Sequence, residues 1–201
     1  MTQKQTTPWG EVGYPTFKRT YSRPLKNGKT EEWKDTVDRV VEACNKQLKC
    51  NFSEREQKDV RDIMLNLKGT VAGRFLWQLG TKTVDKLGLP SLQNCAFTVV
   101  DKPIRPFTWA FEMLMLGSGV GFNIQREHVY QLPKVKRKVK ITRLDENDAD
   151  FIVPDSREGW VDLLYRVLKA SFKTGESFTF ATHLIRGKGS PIKGFGGTAS
   201  G

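Results

Sequence analysis

Three cysteines are the most nucleophilic side chains of this sequence, and their settings differ. Cys95 follows Asn94 and opens an apolar run, CAFTVV, directly after the loop Gly88-Leu89-Pro90-Ser91. A thiol at a strand start, beside a loop, is better placed for thiolate chemistry than one in mid-helix. The same position also suits a small buried hydrophobe, the commonest fate of a free cysteine. Cys44 falls on the apolar face of a helical stretch and Cys50 lies just past its end, so both read as structural.

Two glycine clusters are the next candidates. Gly117-Ser118-Gly119-Val120-Gly121 lies between a helical and a strand-like segment, and Gly194-Phe195-Gly196-Gly197-Thr198-Ala199-Ser200-Gly201 closes the chain. Neither is a Walker loop, and neither has the strand-to-helix order of a dinucleotide fingerprint. Successive glycines can still offer backbone N–H groups to phosphate, or allow two backbones to pack closely. The Gly-rich end reads as an interrupted chain rather than a packed terminus, with a flexible tail as the other reading. His128 and His183 stand apart without ligand-like spacing, and no Ser-His-Asp order or metal-ligand cluster occurs.

The odd cysteine count, without a CxxC pair, points to a reducing compartment and away from a disulfide scaffold. The first ten residues are polar, so no secretion signal is expected, and no apolar run is long enough to span a bilayer. A cytoplasmic protein without a membrane partner is the expectation. The net charge of +11 favours anionic partners: nucleotides, nucleic acid or an acidic chain. A solvated basic surface fits equally well.

The elements that must position these residues follow from periodicity and caps. Residues 1–29, rich in Pro, Gly, Thr and Lys, read as an extended arm docked by Tyr14, Phe17 and Tyr21. Residues 30–90 read as a helical region. A helix from Thr30 to Leu48 is capped by Thr30 and buries Trp33, Val37, Val40, Val41, Cys44 and Leu48. A second helix opens with a Ser53–Glu56 capping box and stops at Gly69. Short helical pieces cover Val71 to Gly88. Residues 91–201 change texture. Strand Cys95–Val100, helix Pro106–Leu116 and strand 119–124 predict a parallel pair with a helical crossover. Lys134–Leu144 alternates basic and apolar residues like a strand with one wet face. Asp145–Asp150 is an acidic turn, Ser156 caps a further helix, and Phe178 and Phe180 sit in a short strand.

Taken in order, several segments resemble one family. These are FKRTYSR (Phe17–Arg23), EEW (Glu31–Trp33), GRFLWQLGT (Gly73–Thr81), SLQNCAF (Ser91–Phe97), GSGVGFNI (Gly117–Ile124), PDSREGW (Pro154–Trp160) and GFGGTASG (Gly194–Gly201). Together they resemble the N-terminal part of adenosylcobalamin-dependent (class II) ribonucleoside-triphosphate reductases. The resemblance implies an α/β fold: a helical N-terminal region followed by the first strands and helices of a ten-stranded α/β barrel, here incomplete. It implies thiyl-radical reduction of ribonucleoside triphosphates to 2′-deoxyribonucleotides. Cys95 is then one member of the cysteine pair that reduces the 2′ carbon, and Cys44 and Cys50 are poor candidates for its partner. Asn94, Ser118, Gly119, Gly196, Gly197 and Ser200 resemble parts that line the substrate pocket. The segment Ile104–Met115, with Arg105, Pro106 and Phe107, and the region from Gln125 and Arg126 resemble the allosteric site for a deoxynucleoside triphosphate (dNTP). The radical cysteine, the adenosylcobalamin-binding part and the dithiol served by a thioredoxin-type reductant would lie beyond Gly201, in a C-terminal portion. The isolated chain is accordingly expected to be catalytically inert. A different class of function, a non-catalytic basic nucleotide- or nucleic-acid-binding protein, is the alternative; no helix-turn-helix or RNP aromatics accompany it.

Overall fold

The computed structural model describes residues 9–192 together with Thr198 and Ala199. The chain divides between Leu92 and Gln93 into two compact units.

The first unit is helical. Its opening segment corrects the extended arm of the sequence reading: Gly10–Thr20 is a helix, α1, with Pro15 inside it. Aromatic packing offsets the missing proline N–H. Phe17 is buried, stacks on Trp9 at 5.4 Å and meets the Trp33 ring edge-on at 5.4 Å. The chain then returns through a loop in which Pro24 and Thr30 bridge.

Helix α2, Trp33–Lys46, begins later than the Thr30 cap predicted. Glu32 occupies the cap position, where its backbone N–H donates to the Asp35 carboxylate at 2.9 Å. Glu31, just ahead of the cap, is buried and paired with Arg39, which pulls the chain inward before the helix starts. The predicted apolar face is correct: Trp33, Val37, Val40, Val41 and Cys44 enter the core, and Leu48 packs against it. Helix α3, Glu54–Leu65, has the expected Ser53–Glu56 box, with Ser53 N–H donating to Glu56 at 2.8 Å. It ends before Gly69: Leu67 takes the left-handed conformation, and Lys68 N–H donates to the Ile63 carbonyl. Helices α4, Gly73–Gln78, and α5, Lys82–Leu87, and a 3₁₀ turn at Leu89–Leu92 complete the unit.

In the second unit, strand β1, Cys95–Val99, leads through helix α6, Arg105–Met115, to strand β2, Gly119–Asn123. The strands are parallel, with Cys95 opposite Gly119 and Val99 opposite Asn123, as the crossover rule requires. A short helix, α7, Arg126–Val129, follows. Only Ile141–Arg143 of the expected Lys134–Leu144 strand forms one, β3. Lys138 is left-handed and Val135 is exposed, so the basic alternation upstream is a solvated loop. A strand absent from the sequence reading, β4, Phe151–Ile152, joins β3 and β5, Phe178–Ala181, in a parallel sheet of order β3-β5-β4. The acidic turn latches this sheet. Thr182 N–H donates to Asp145 at 2.8 Å and Thr179 N–H to Asp150 at 2.7 Å. Arg143, then the Thr182 N–H, hold the Asp145 carboxyl down at about 2.

Helix α8, Arg157–Lys169, is capped by Ser156 as expected and runs into a π-helical turn, Ala170–Thr174. Gly159, inside the PDSREGW segment, has a specific reason to be glycine. A β carbon there would lie 2.4 Å from the Pro154 carbonyl oxygen, which is backbone and cannot rotate away. Gly159→Ala should therefore destabilise the second unit by about 2–3 kcal/mol through overpacking. Urea unfolding monitored by tryptophan fluorescence would read this as a lower midpoint at unchanged slope.

Candidate functional site

Four of the predicted site residues converge at the N-terminal ends of β1 and β2. The turn after α6 is tied back to the residues before β1: Ser118 N–H donates to the Met113 carbonyl at 3.0 Å, and its hydroxyl donates to the Gln93 carbonyl at 2.6 Å. Gly119 N–H donates to the Asn94 carbonyl at 2.8 Å. Asn94 and Cys95 are thus held beside Ser118 and Gly119 by backbone groups, and the Cys95 thiol is presented from that fixed frame. Ser118 is buried and its hydroxyl is engaged, so its contribution is to set the turn. Gln93, whose carbonyl receives it, has no mark in the sequence that could have singled it out.

Cys95 is exposed and free, which removes the buried-hydrophobe reading for this chain. Its opposite number, Gly119, would accept a β carbon with nothing nearer than the Asn94 carbonyl at 3.8 Å. Close packing therefore does not demand glycine there. Its effect is to leave open space beside the thiol. Two residues along, the contrast is plain: a β carbon on Gly121 would meet the Phe97 ring at 3.1 Å.

The predicted effector residues lie at the other end of the same pair. Arg105 and Pro106 start α6 and Arg126 starts α7, both beyond the C-terminal ends of their strands. Five-residue strands separate the two ends by about 13 Å. Arg105 and Arg126 are exposed, Phe107 is half-buried, and Pro106 is buried as the first-turn proline of α6. Gly196, Gly197 and Ser200 lie outside the described residues. A recess of about 520 Å³, lined by Asp150, Arg166, Lys169, Glu176 and Phe178 among others, contains none of the predicted site residues.

Cys44 and Cys50 belong to the first unit. Cys44 is buried, and burial followed by the neighbouring Cys50 pushes its thiol pKa up. Cys50 is exposed. Among the described residues no three His, Cys, Asp or Glu side chains gather into a metal-binding group, and no helix is long and apolar enough to cross a membrane.

Comparison with known proteins adds the following. Residues 1–81 match the family model described as ribonucleotide reductase alpha domain, and residues 126–201 match that of the B12-dependent ribonucleotide reductase insertion domain. Cys95 lies between the two matched ranges. An adenosylcobalamin-dependent ribonucleoside-triphosphate reductase of Lactobacillus gasseri is 32% identical over 264 residues, covering 100% of this chain and 35% of its own length. The Euglena gracilis protein of that name is 34% identical, with 94% of this chain and 27% of its own length covered. A crystal structure of a B12-dependent (class II) ribonucleotide reductase superposes with a TM-score of 0.78 at 30% identity, over 96% of this chain and 35% of that one. The chain spans about a third of the length of the relatives it matches.

Proposed function

From the membership of this chain in the adenosylcobalamin-dependent (class II) ribonucleotide reductase family, we propose that it supplies one reducing thiol, Cys95, and part of the dNTP effector site. Its reaction is the reduction of ribonucleoside triphosphates to 2′-deoxyribonucleotides. The observation that carries this reading is the exposed Cys95 thiol on a rigid strand start, with a side-chain-free residue directly opposite it.

The chemistry asked of Cys95 is limited. After hydrogen is abstracted at the 3′ position of the ribose, two thiols deliver the reducing equivalents that replace the 2′ hydroxyl, water leaves, and the thiols become a disulfide. This requires a second cysteine with its Cα about 5.5 Å from that of Cys95. We assign that cysteine, the radical cysteine and the dithiol recycled by a thioredoxin-type reductant to the remaining two thirds of the relatives' length. Adenosylcobalamin, when bound, supplies the radical. The donor set at the Cys95 end is one thiol, one amide and an inward-turned hydroxyl, which suits a nucleotide rather than a corrin, so its binding also belongs to that remainder. Exposed Phe97 and Phe122 on the β1–β2 pair, with Ile124 just past β2, support continuation into a larger parallel sheet, closed as a ten-stranded barrel. A cytoplasmic enzyme without a membrane partner fits this chemistry.

The test is direct. The 201-residue chain alone, given ribonucleoside triphosphate, adenosylcobalamin and dithiothreitol, should form no deoxynucleotide. Joined to or mixed with a polypeptide supplying the rest of a class II reductase, it should do so. Turnover by the chain alone, or none by the assembly, overturns the proposal.

The effector assignment carries its own prediction. Each charge-assisted bond from Arg105 or Arg126 to a triphosphate is worth about 1.5–3 kcal/mol. Arg105→Ala and Arg126→Ala in the assembled enzyme should each weaken dNTP binding roughly 10- to 100-fold. Basal reduction without effector should be unchanged. Calorimetric titration with a panel of dNTPs reads the first effect and product analysis the second.

A further inference from the structure

Cys44 and Cys50 stand six positions apart in the sequence, one on a helix face and one past its end. The fold brings them together. Cys50 N–H donates to the Cys44 carbonyl at 3.0 Å. That bond, with ordinary backbone dimensions on either side, holds the two Cα atoms about 5–6.5 Å apart, inside the range a disulfide spans. The side chains are neighbours as well: after burial, the nearby Cys50 is what holds the Cys44 thiol pKa up.

The return of the chain is built to hold this geometry. Lys49 and Asn51, on either side of Cys50, are both left-handed, with φ of 58° and 57°. Leu48 N–H donates to the Ala43 carbonyl at 3.3 Å. The Asn45 side chain clamps Phe52 from both sides, accepting from its N–H at 2.7 Å and donating to its carbonyl at 2.8 Å. Cys50 thus cannot drift from the end of α2 without breaking several bonds at once.

We propose that Cys44 and Cys50 form a reversible oxidation site, which a hydroperoxide converts into an intramolecular disulfide closing the C-terminal end of α2. Exposed Cys50 is the point of entry. Its thiolate attacks one peroxide oxygen, the O–O bond breaks, Cys50 becomes a sulfenic acid and, for hydrogen peroxide, water leaves. The Cys44 sulfur then displaces that oxygen as a second water while the S–S bond forms. Two thiols and one hydrogen peroxide give one disulfide and two waters, with two electrons passing from sulfur to oxygen. Cys44 is only 8% exposed, so it meets the oxidant through Cys50 rather than from solvent. A dithiol reverses the step by attacking the exposed Cys50 sulfur. In a reducing compartment such a pair is a transient sensor rather than a staple.

The ring that closes contains Gln47. Its side chain donates to the Thr81 carbonyl and Asp85 and accepts from Gly80 N–H at 2.8 Å. Oxidation therefore stiffens the segment that ties α2 to the start of α5. This site is independent of the role assigned to Cys95.

The experiment treats the folded chain with one equivalent of hydrogen peroxide, blocks remaining thiols with iodoacetamide, and digests with trypsin without reduction. The expected product joins the peptide of residues 40–46 to that of residues 50–55, 2 Da lighter than their sum, while Cys95 is recovered alkylated. Dithiothreitol returns both peptides, and the oxidised chain melts several degrees higher. In Cys44→Ala, Cys50 should be trapped by dimedone as a sulfenic acid. Recovery of wild-type Cys50 as thiol or sulfinic acid with no joined peptide would sink the proposal. So would a joined peptide that pairs either residue with Cys95 instead.

Discussion

Cys95→Ser should abolish deoxynucleotide formation by the assembled reductase, by about 10³-fold or more, equivalent to roughly 4 kcal/mol or more of barrier. A serine hydroxyl cannot give up its hydrogen to form a disulfide, so the two-electron reduction at the 2′ carbon loses one of its two equivalents. The fold should be untouched. Cys95 is exposed, and β1 is held through its backbone register with β2 and through the Gly119 N–H bond to the Asn94 carbonyl. Exposed substitutions of this kind change stability by no more than about 0.5 kcal/mol. The pair of measurements is therefore multiple-turnover product formation and a urea melt on the same sample. Activity lost at unchanged melt supports Cys95 as a reducing thiol. Turnover near the wild-type rate removes it from that role.

The second large effect lies in the helical unit. Arg39→Leu should cost about 3–5 kcal/mol at neutral pH, because it leaves Glu31 as an uncompensated buried charge. Glu31 accepts from Arg39 at 2.7 and 2.9 Å, from the Thr36 hydroxyl at 2.7 Å and from Arg23 N–H at 3.3 Å. Arg39 also donates to the carbonyls of Leu76 and Leu79, so one guanidinium joins the start of α2 to the end of α4. Gly80, at φ +83°, lies against its stem; a β carbon there would come 2.5 Å from Arg39 Cγ.

The pH dependence separates charge from packing. Burial alone would raise the Glu31 pKa, but Arg39, Thr36 and Arg23 together outweigh it and hold it below the ordinary carboxylate value. The stability it contributes is therefore fully present above about pH 4.3 and fades as pH falls through the lowered folded value. In Arg39→Leu the sign reverses. The remaining buried carboxylate prefers its proton, so the variant should gain stability relative to its own pH 7 value as the solution is acidified towards pH 5. Guanidinium melts across pH 4.5–7 should show wild type flat or falling and the variant rising on acidification. A variant whose deficit is the same at every pH would assign the loss to packing alone.

Cys95 and the β1–α6–β2 crossover could be placed from sequence because their signals are local. An apolar run after Gly-Leu-Pro-Ser, a proline in the first turn of a helix and glycines at its end each act within a few residues. The Ser53–Glu56 box and the Ser156 cap were legible for the same reason. The motif order from Phe17 to Gly201 pointed to the family without any tertiary information, and the matched ranges agree with it.

What escaped the sequence depends on partners far along the chain. Glu31 carries no mark of burial in the sequence; Arg39, the Thr36 hydroxyl and the Arg23 N–H close around it only in the fold. Gly10–Thr20 looks like a proline-containing arm until Trp9 and Trp33 supply an aromatic cluster for Phe17. Phe151–Ile152 is too short to announce itself as a strand and becomes one only because β5 lies beside it. Cys50 sits past a helix end in the sequence, yet two left-handed residues fold it back onto Cys44. Caps, turns and periodic faces are decided by neighbours within one helical turn or strand, so the sequence alone determines them. Buried charge, strand pairing and the meeting of two thiols are decided by which distant groups exclude water from them, and that only the tertiary structure settles.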